Sequence, residues 1–190
     1  MHGLIRTLAH LIQMDKDLNK ERPMNDLPDR FPRGWFVLGH QRDFPIGETN
    51  TIYGFDRKIQ VKRLEDGSIK IDLGDTDEWP ILEINQMVMV WHDAEKKEPD
   101  FLPKKIEECY SDEWSDYGMA SFLVKNNCRE LIDNMADKGH FGPVHQAPFE
   151  GFWNEAKDHT YTQEMTADSP ILGRDLFSQA TYEGPAYMTT

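Results

Sequence analysis

The sequence predicts an α+β protein, rich in antiparallel strands and sparing in helix. Three observations carry that prediction. Short segments of strand-forming residues recur from Trp35 onward, Asp66-Gly67 falls between two of them as a hairpin turn, and the stretch from Asn127 to Lys138 holds neither Gly nor Pro and suits a helix.

Taken in order, Leu4, Ile5, Leu8, Leu11 and Ile12 recur at helical spacing, giving a short amphipathic helix up to Asp15. Its polar face lacks a Lys/Arg cluster, so packing on its own chain or a sister subunit is expected rather than binding to a membrane. Asp17 to Pro32 is polar and proline-bearing, and serves as a linker. Strands are expected at Trp35–Leu38, Thr51–Phe55, Lys58–Leu64, Ser68–Leu73 and Ile81–Trp91. Met87-Val-Met-Val-Trp91 is continuously apolar, which predicts burial on both faces. Lys96 to Pro103 is charged and carries proline, and a domain boundary is placed there. The division is then 1–30 (helix and linker), 31–102 (a small antiparallel unit) and 103–190. In the last part a strand is expected over Trp114–Lys125, a helix from Asn127 to about Phe141, and strands over Thr160–Thr166 and Gln179–Met188.

The 190 residues carry a net charge of −13, which argues against nucleic acid or an anionic membrane as partner. Such a charge is usually a solvated surface, and it also suits a basic protein partner. Two cysteines make no disulfide framework and no zinc pattern, so a reducing, cytoplasmic setting is expected. Arg6, His10 and Gln13 break the N-terminal apolar run, which gives neither a signal peptide nor a membrane span.

The chemistry concentrates in Asp137-Lys-Gly-His140-Phe-Gly-Pro-Val-His145. Two imidazoles with a nearby carboxylate can form most of a mononuclear iron site, in which two His and one carboxylate occupy one face. On an unbroken helix His145 would point roughly 140° away from His140. Gly142 and Pro143 are expected to end the helix between them and swing His145 back. Asp137, one turn before His140, is placed to orient that ring. The plain alternative is two unrelated histidines near a helix C-terminus, where positive charge is favourable. Phe141, Val144 and Phe149, with Phe152 and Trp153, cluster around the motif as pocket walls or as ordinary core. Cys128 is either a thiol activated by the helix N-terminus or a small buried apolar residue. His40 and His159 have no partnered spacing and are expected on the surface.

Asn127-Cys-Arg-Glu-Leu-Ile-Asp-Asn134, followed by Asp137, His140 and His145, resembles the iron-site segment of Rieske-type non-haem iron oxygenases. Phe31-Pro-Arg-Gly-Trp-Phe36, the segment from Trp79 to Asp93 and Ala180 to Tyr187 are similar to the ketosteroid 9α-hydroxylase and cholesterol 7-desaturase branch of that family. The resemblance implies a Rieske-like β domain, then the first part of a helix-grip-like catalytic domain. It further implies an Fe(II) centre on His140 and His145, with Asp137 as the electron bridge from a neighbouring subunit's cluster. O₂-dependent hydroxylation or desaturation of a sterol or ketosteroid, a reductase or sister oxygenase subunit as partner, and a homo-oligomer complete the set.

Two departures qualify it. A Rieske [2Fe–2S] cluster needs Cys-x-His and Cys-x-x-His; Cys109 and Cys128 lie in no such pattern, and no iron–sulfur ligand is assigned. In the family those loops fall between the strand at Ile69–Leu73 and Trp79, where this chain has only Gly74–Glu78. The family's carboxylate ligand comes from a later helix, and neither Asp158, Glu164 nor Asp168 is assigned that role from the sequence. The expectation is therefore an inactive shortened form with weak Fe(II) binding, no cluster, and poor stability where core has been lost. A non-catalytic interaction or ligand-binding protein built on the same scaffold is the alternative, and a two-His hydrolytic site lacks an obvious nucleophile.

Overall fold

The computed structural model describes residues 31–126, 128–145, 149–169 and 174–190. The helix expected over Leu4–Asp15, most of the linker after it, Asn127 and the Phe149 side chain lie outside them. Three sheets carry the described strands. In the first, β1 (Gly34–His40), β5 (Ile81–Ile84) and β6 (Met87–His92) run in the order β1-β6-β5. In the second, β2 (Thr49–Gly54), β3 (Arg57–Arg63) and β4 (Ile69–Asp72) form a meander.

These two sheets enclose Leu38, Phe44, Ile59, Val61, Leu73, Val88 and Val90. Each such side chain, fully withdrawn from water, stabilises the fold by about 1.5–3 kcal/mol before entropy is counted. β6 is buried along its whole length, as its unbroken apolar run predicts. Val88 and Val90 face this core, while Met87, Met89 and Trp91 face a second cluster with Trp35, Val37 and Tyr187.

Turn chemistry settles the register. The Asp66-Gly67 hairpin forms as expected, with Gly67 at φ +85° and Asp66 Oδ1 accepting from Ser68 N (3.0 Å) and Ser68 Oγ (2.6 Å). Those bonds hold the Asp66 carboxyl below its usual range. The expected single strand Ile81–Trp91 is instead a hairpin: Asn85 and Gln86 take φ of +52° and +61° and reverse the chain between β5 and β6. Asn tolerates that left-handed conformation, and apolar residues on both sides hide the turn from a reading of hydrophobicity. His40, expected at the surface, is buried; its Nδ1 accepts from Arg42 N (3.1 Å), which leaves Nε2–H for Gln86 Oε1 (3.1 Å).

The connection from β4 to β5 is short and anchored at both ends. Leu73 is in the core, and Trp79 packs edge-on against Phe55 and His92, with ring centres 4.8 and 4.9 Å away. His92 also stacks on Phe55 and bonds to Pro32 O through Nδ1 (3.0 Å), a packing role.

The third sheet has the order β10-β9-β8-β7, from β7 (Phe149–Lys157), β8 (Thr160–Ser169), β9 (Arg174–Glu183) and β10 (Met188–Thr189). The strand expected over Gln179–Met188 stops at Glu183, where Gly184 turns at φ +71°. The strand expected over Trp114–Lys125 does not form, and Met119, Phe122 and Leu123 are exposed there; among the described residues no strand pairs with this segment.

A tight seam joins the third sheet to the first. A Cβ on Gly34 would come 2.3 Å from Pro185 Cδ, so only Gly fits. Asn85, wholly buried, donates Nδ2 to Lys104 O (2.8 Å) and Tyr187 Oη (3.0 Å) and accepts from Ile106 N at Oδ1 (2.8 Å). Trp35 Nε1 donates to Phe101 O (2.8 Å). His159 is exposed, as expected, and stacks on Phe101 at 4.1 Å. The expected loss of core is thus not seen in the first unit, whereas Trp153 and Phe177 of the third sheet do stand exposed.

Candidate metal centre

The helix that leads to the site is α1 (Cys128–Ala136), followed by a 3-10 turn (Lys138–His140) and α2 (Phe141–His145). This corrects the single helix expected from Asn127 to Phe141 and the break expected at Gly142-Pro143. The break comes earlier, at Asp137 (φ −80°, ψ 100°), whose Oδ1 accepts from Gly139 N (2.8 Å) and so caps the turn. Gly142 and Pro143 lie inside α2. Proline is accommodated there because the first turn of a helix has no partner for its missing N–H.

α1 lies across one face of the third sheet. Along β8, residues 161, 163, 165 and 167 share that face, and they pair with Tyr182, Ala180, Ser178 and Leu176 of β9. On the other side the row is completed by Ala156, Asn154 and Phe152 of β7. Asn154 Nδ2 donates to Ala136 O (3.4 Å), and Phe152 sits 5.7 Å from Phe141, ring centre to ring centre. At the other end of the helix burial pushes the Cys128 thiol up, and the same cause pushes Tyr182 up to about 12. Cys128 is half-buried, and its raised thiol argues against an activated nucleophile. No residue of α1 is fully buried, so the layer is lightly filled.

The break at Asp137 brings the two histidines together. Their ring centres are 5.2 Å apart at an interplanar angle of 67°. Two imidazoles that share one ion have centres about 5 Å apart, because each metal–nitrogen bond is about 2 Å. Asp137 Oδ2 lies 3.5 Å from His140 Nδ1, a buried nitrogen with no hydrogen bond. At that distance the carboxylate attracts the ring without a strong bond. Because Asp137 faces Nδ1, Nε2 is the nitrogen left for a metal, and Asp137 cannot also ligate an ion held there. Among the described residues no three His, Cys, Asp or Glu side chains gather closely enough to hold a metal. The residues present thus fit two of the three protein ligands of a facial iron site.

Phe141 lies 4.4 Å from His140 and 5.5 Å from His145. Val144 is exposed and walls nothing. The Phe149 backbone pairs with Ala167. Sequence reasoning missed Tyr161 and Gln163 on the covered face of β8; both carry buried polar atoms with no partner, Tyr161 Oη and Gln163 Nε2. Gln163 alternates in phase with Met165 and Ala167, a signal available once the inward face of the strand is known.

A helix thus lies over an antiparallel sheet, with a carboxylate and two imidazoles at its end. The quaternary ammonium Rieske monooxygenase CntA superposes with a TM-score of 0.61 over 84% of this chain and 62% of that one, at 14% identity, a likeness of fold. Residues 90–190 match the 3-ketosteroid 9alpha-hydroxylase C-terminal domain, and the chain belongs to that family. The 3-ketosteroid-9-alpha-monooxygenase oxygenase component of Rhodococcus rhodochrous is 29% identical over 221 aligned residues, covering 85% of this chain and 57% of that protein. Cholesterol 7-desaturase nvd of Hemicentrotus pulcherrimus is 24% identical, covering 90% and 54%. The chain thus spans a little over half the length of these relatives. The 221-residue alignment exceeds the whole 190-residue chain, so internal gaps separate the two sequences. Among the described residues no helix is long and apolar enough to cross a membrane.

Proposed function

We propose that the chain belongs to a steroid oxygenase of the Rieske type, in which residues 31–190 supply two histidine ligands for iron and no ligands for a cluster between Leu73 and Trp79. The carrying observation is the histidine pair, 5.2 Å apart and backed by Asp137. Iron(II), when bound, would supply the O₂ chemistry of the family. His140 and His145 would hold it, and Asp137 would keep the His140 proton on Nδ1 so that Nε2 stays a ligand. Phe141 and Phe152 would exclude water beside it. The substrate is a sterol or ketosteroid, as the names of the relatives suggest.

Residues 31–102 act here as a structural unit without a cluster, because the connection Gly74–Glu78 has no Cys or His. A reductase or a complete sister oxygenase subunit is the partner such a chain would meet. The alternative, a non-catalytic protein on the same scaffold, is supported by the same missing ligands. The deciding experiment loads the purified chain anaerobically with Fe(II), measures bound metal, and assays steroid oxidation with a reductase and NADH. Bound iron lost in His140→Ala, visible spectra without a [2Fe–2S] band and no turnover are expected. A cluster in the chain or iron binding indifferent to both histidines would overturn the reading.

A further inference from the structure

We propose that residues 4–12 of this chain dock on its own exposed strip Met119–Val124, the segment that leads towards α1. Met119, Phe122 and Leu123 are 50%, 65% and 59% exposed, and Val124 beside them is exposed too. Among the described residues no strand pairs with the strip. Four large apolar side chains within six consecutive residues form a patch that a folded chain rarely leaves in water without a partner.

The sequence offers an occupant. On a helix of 3.6 residues per turn, Leu4, Ile5, Leu8, Leu11 and Ile12 fall on one stripe. A helix that short is marginal in water by itself, since about 12–15 residues are needed even for good helix formers. The stripe therefore requires a surface, and the strip requires a cover. Reach permits the contact. Residues 13–30 join the stripe to Phe31, and extended they span up to about 60 Å. The way from Phe31 to Met119 is shorter. It follows β1 to His40, whose ring centre is 6.0 Å from that of Tyr117, and totals within about 50 Å. A tether of this kind presents the segment at a local concentration on the order of millimolar. Modest affinity then suffices for the chain's own segment, whereas a separate molecule would need to bind far more tightly.

Charge points the same way. Residues 1–14 contain Arg6, His2 and His10 and neither Asp nor Glu, in a chain of net charge −13. The run before the strip is acidic, with Glu107, Glu108, Asp112, Glu113 and Asp116. Lys105 and Arg42 pair with Glu107 and Asp116, which leaves Asp112 and Glu113 without a cation among the described residues. Arg6 and His10 would lie about 160° from the centre of the apolar stripe. Charge thus draws the segment in, while apolar contact holds it. The same net charge disfavours an anionic lipid surface as the rival occupant.

The test is hydrogen–deuterium exchange on the full chain, read on peptides covering 4–12 and 119–124. Both should exchange at least about 10-fold more slowly in the native chain than in Leu8→Asp, which sets a carboxylate in the stripe. Phe122→Asp should release residues 4–12 in return. Leu8→Asp combined with Phe122→Lys should restore protection to both segments, a rescue that general loss of structure would not give. Amides of β3 and β6 should stay equally protected throughout, reporting an intact body. Exchange at 119–124 that is indifferent to Leu8→Asp would overturn the assignment. Protection that fades on dilution would overturn it in favour of a second copy, and protection seen only with phosphatidylserine vesicles in favour of a membrane.

Discussion

Replacing Asn85 by Ala tests the seam most severely. The side chain is wholly buried and serves three partners: Lys104 O, Tyr187 Oη and Ile106 N. Removing it strands a backbone carbonyl, a backbone N–H and a phenol, at about 1–3 kcal/mol each. The residue also sits at φ +52°, where Ala is less at ease than Asn by about 1 kcal/mol. Local relaxation recovers part of this, so a loss of about 3–5 kcal/mol is expected. That is a large fraction of the 5–15 kcal/mol typical of a whole domain. Tyr187→Phe removes one partner from the same network and should cost only about 1 kcal/mol. The assay is urea unfolding followed by far-UV circular dichroism, comparing midpoints at constant slope. Because Asn85 belongs to the first unit and Tyr187 to the second, Asn85→Ala should also separate one transition into two. Asn85→Ala and Tyr187→Phe agreeing within 1 kcal/mol, with unfolding still in one step, would show that the network does not hold the units together.

Other expectations follow from single features. His140→Ala and His145→Ala should each abolish Fe(II) binding measured by metal analysis, while Asp137→Ala should weaken it about 10–100-fold; equal losses in all three would make Asp137 a ligand. Tyr182 and Tyr187 are both pushed by burial up to about 12, against an ordinary value of 10.0. The folded state therefore holds those protons more tightly than the unfolded one. Stability should be intact below pH 10 and fall from there to pH 12, by about 1.4 kcal/mol per pH unit for each tyrosine; a flat alkaline profile would contradict their burial. Gly34→Ala should cost about 2–3 kcal/mol in thermal or urea unfolding, as its Cβ would meet Pro185. Pro185→Ala in the same background should restore part of that loss.

The sequence discloses what depends on local chemistry. Asp66-Gly67 and the apolar run of β6 were legible because turn type and burial are written in adjacent residues. Asp137, His140 and His145 were legible as a set, since their spacing carries the pattern. How they meet was not. Gly142-Pro143 looks like a helix terminator, yet the chain breaks at Asp137, and a proline that stops one helix also opens the next. The Asn85 turn and the buried His40 were hidden for a related reason. Each is decided by partners far along the chain, Tyr187 for the one and Gln86 for the other. Gln163 shows the same limit, because a polar residue in a strand declares itself only when its face is known.

The link between β4 and β5 has a broader consequence. Leu73 is fixed in the core on one side and Trp79 in its aromatic cluster on the other. Whatever joins those anchors is thermodynamically a loop, and each doubling of its length costs only about 0.6 kcal/mol. The body of the fold is accordingly indifferent to how long an excursion the chain makes at this point. An insertion or deletion of many residues at this link would therefore leave the architecture on either side the same.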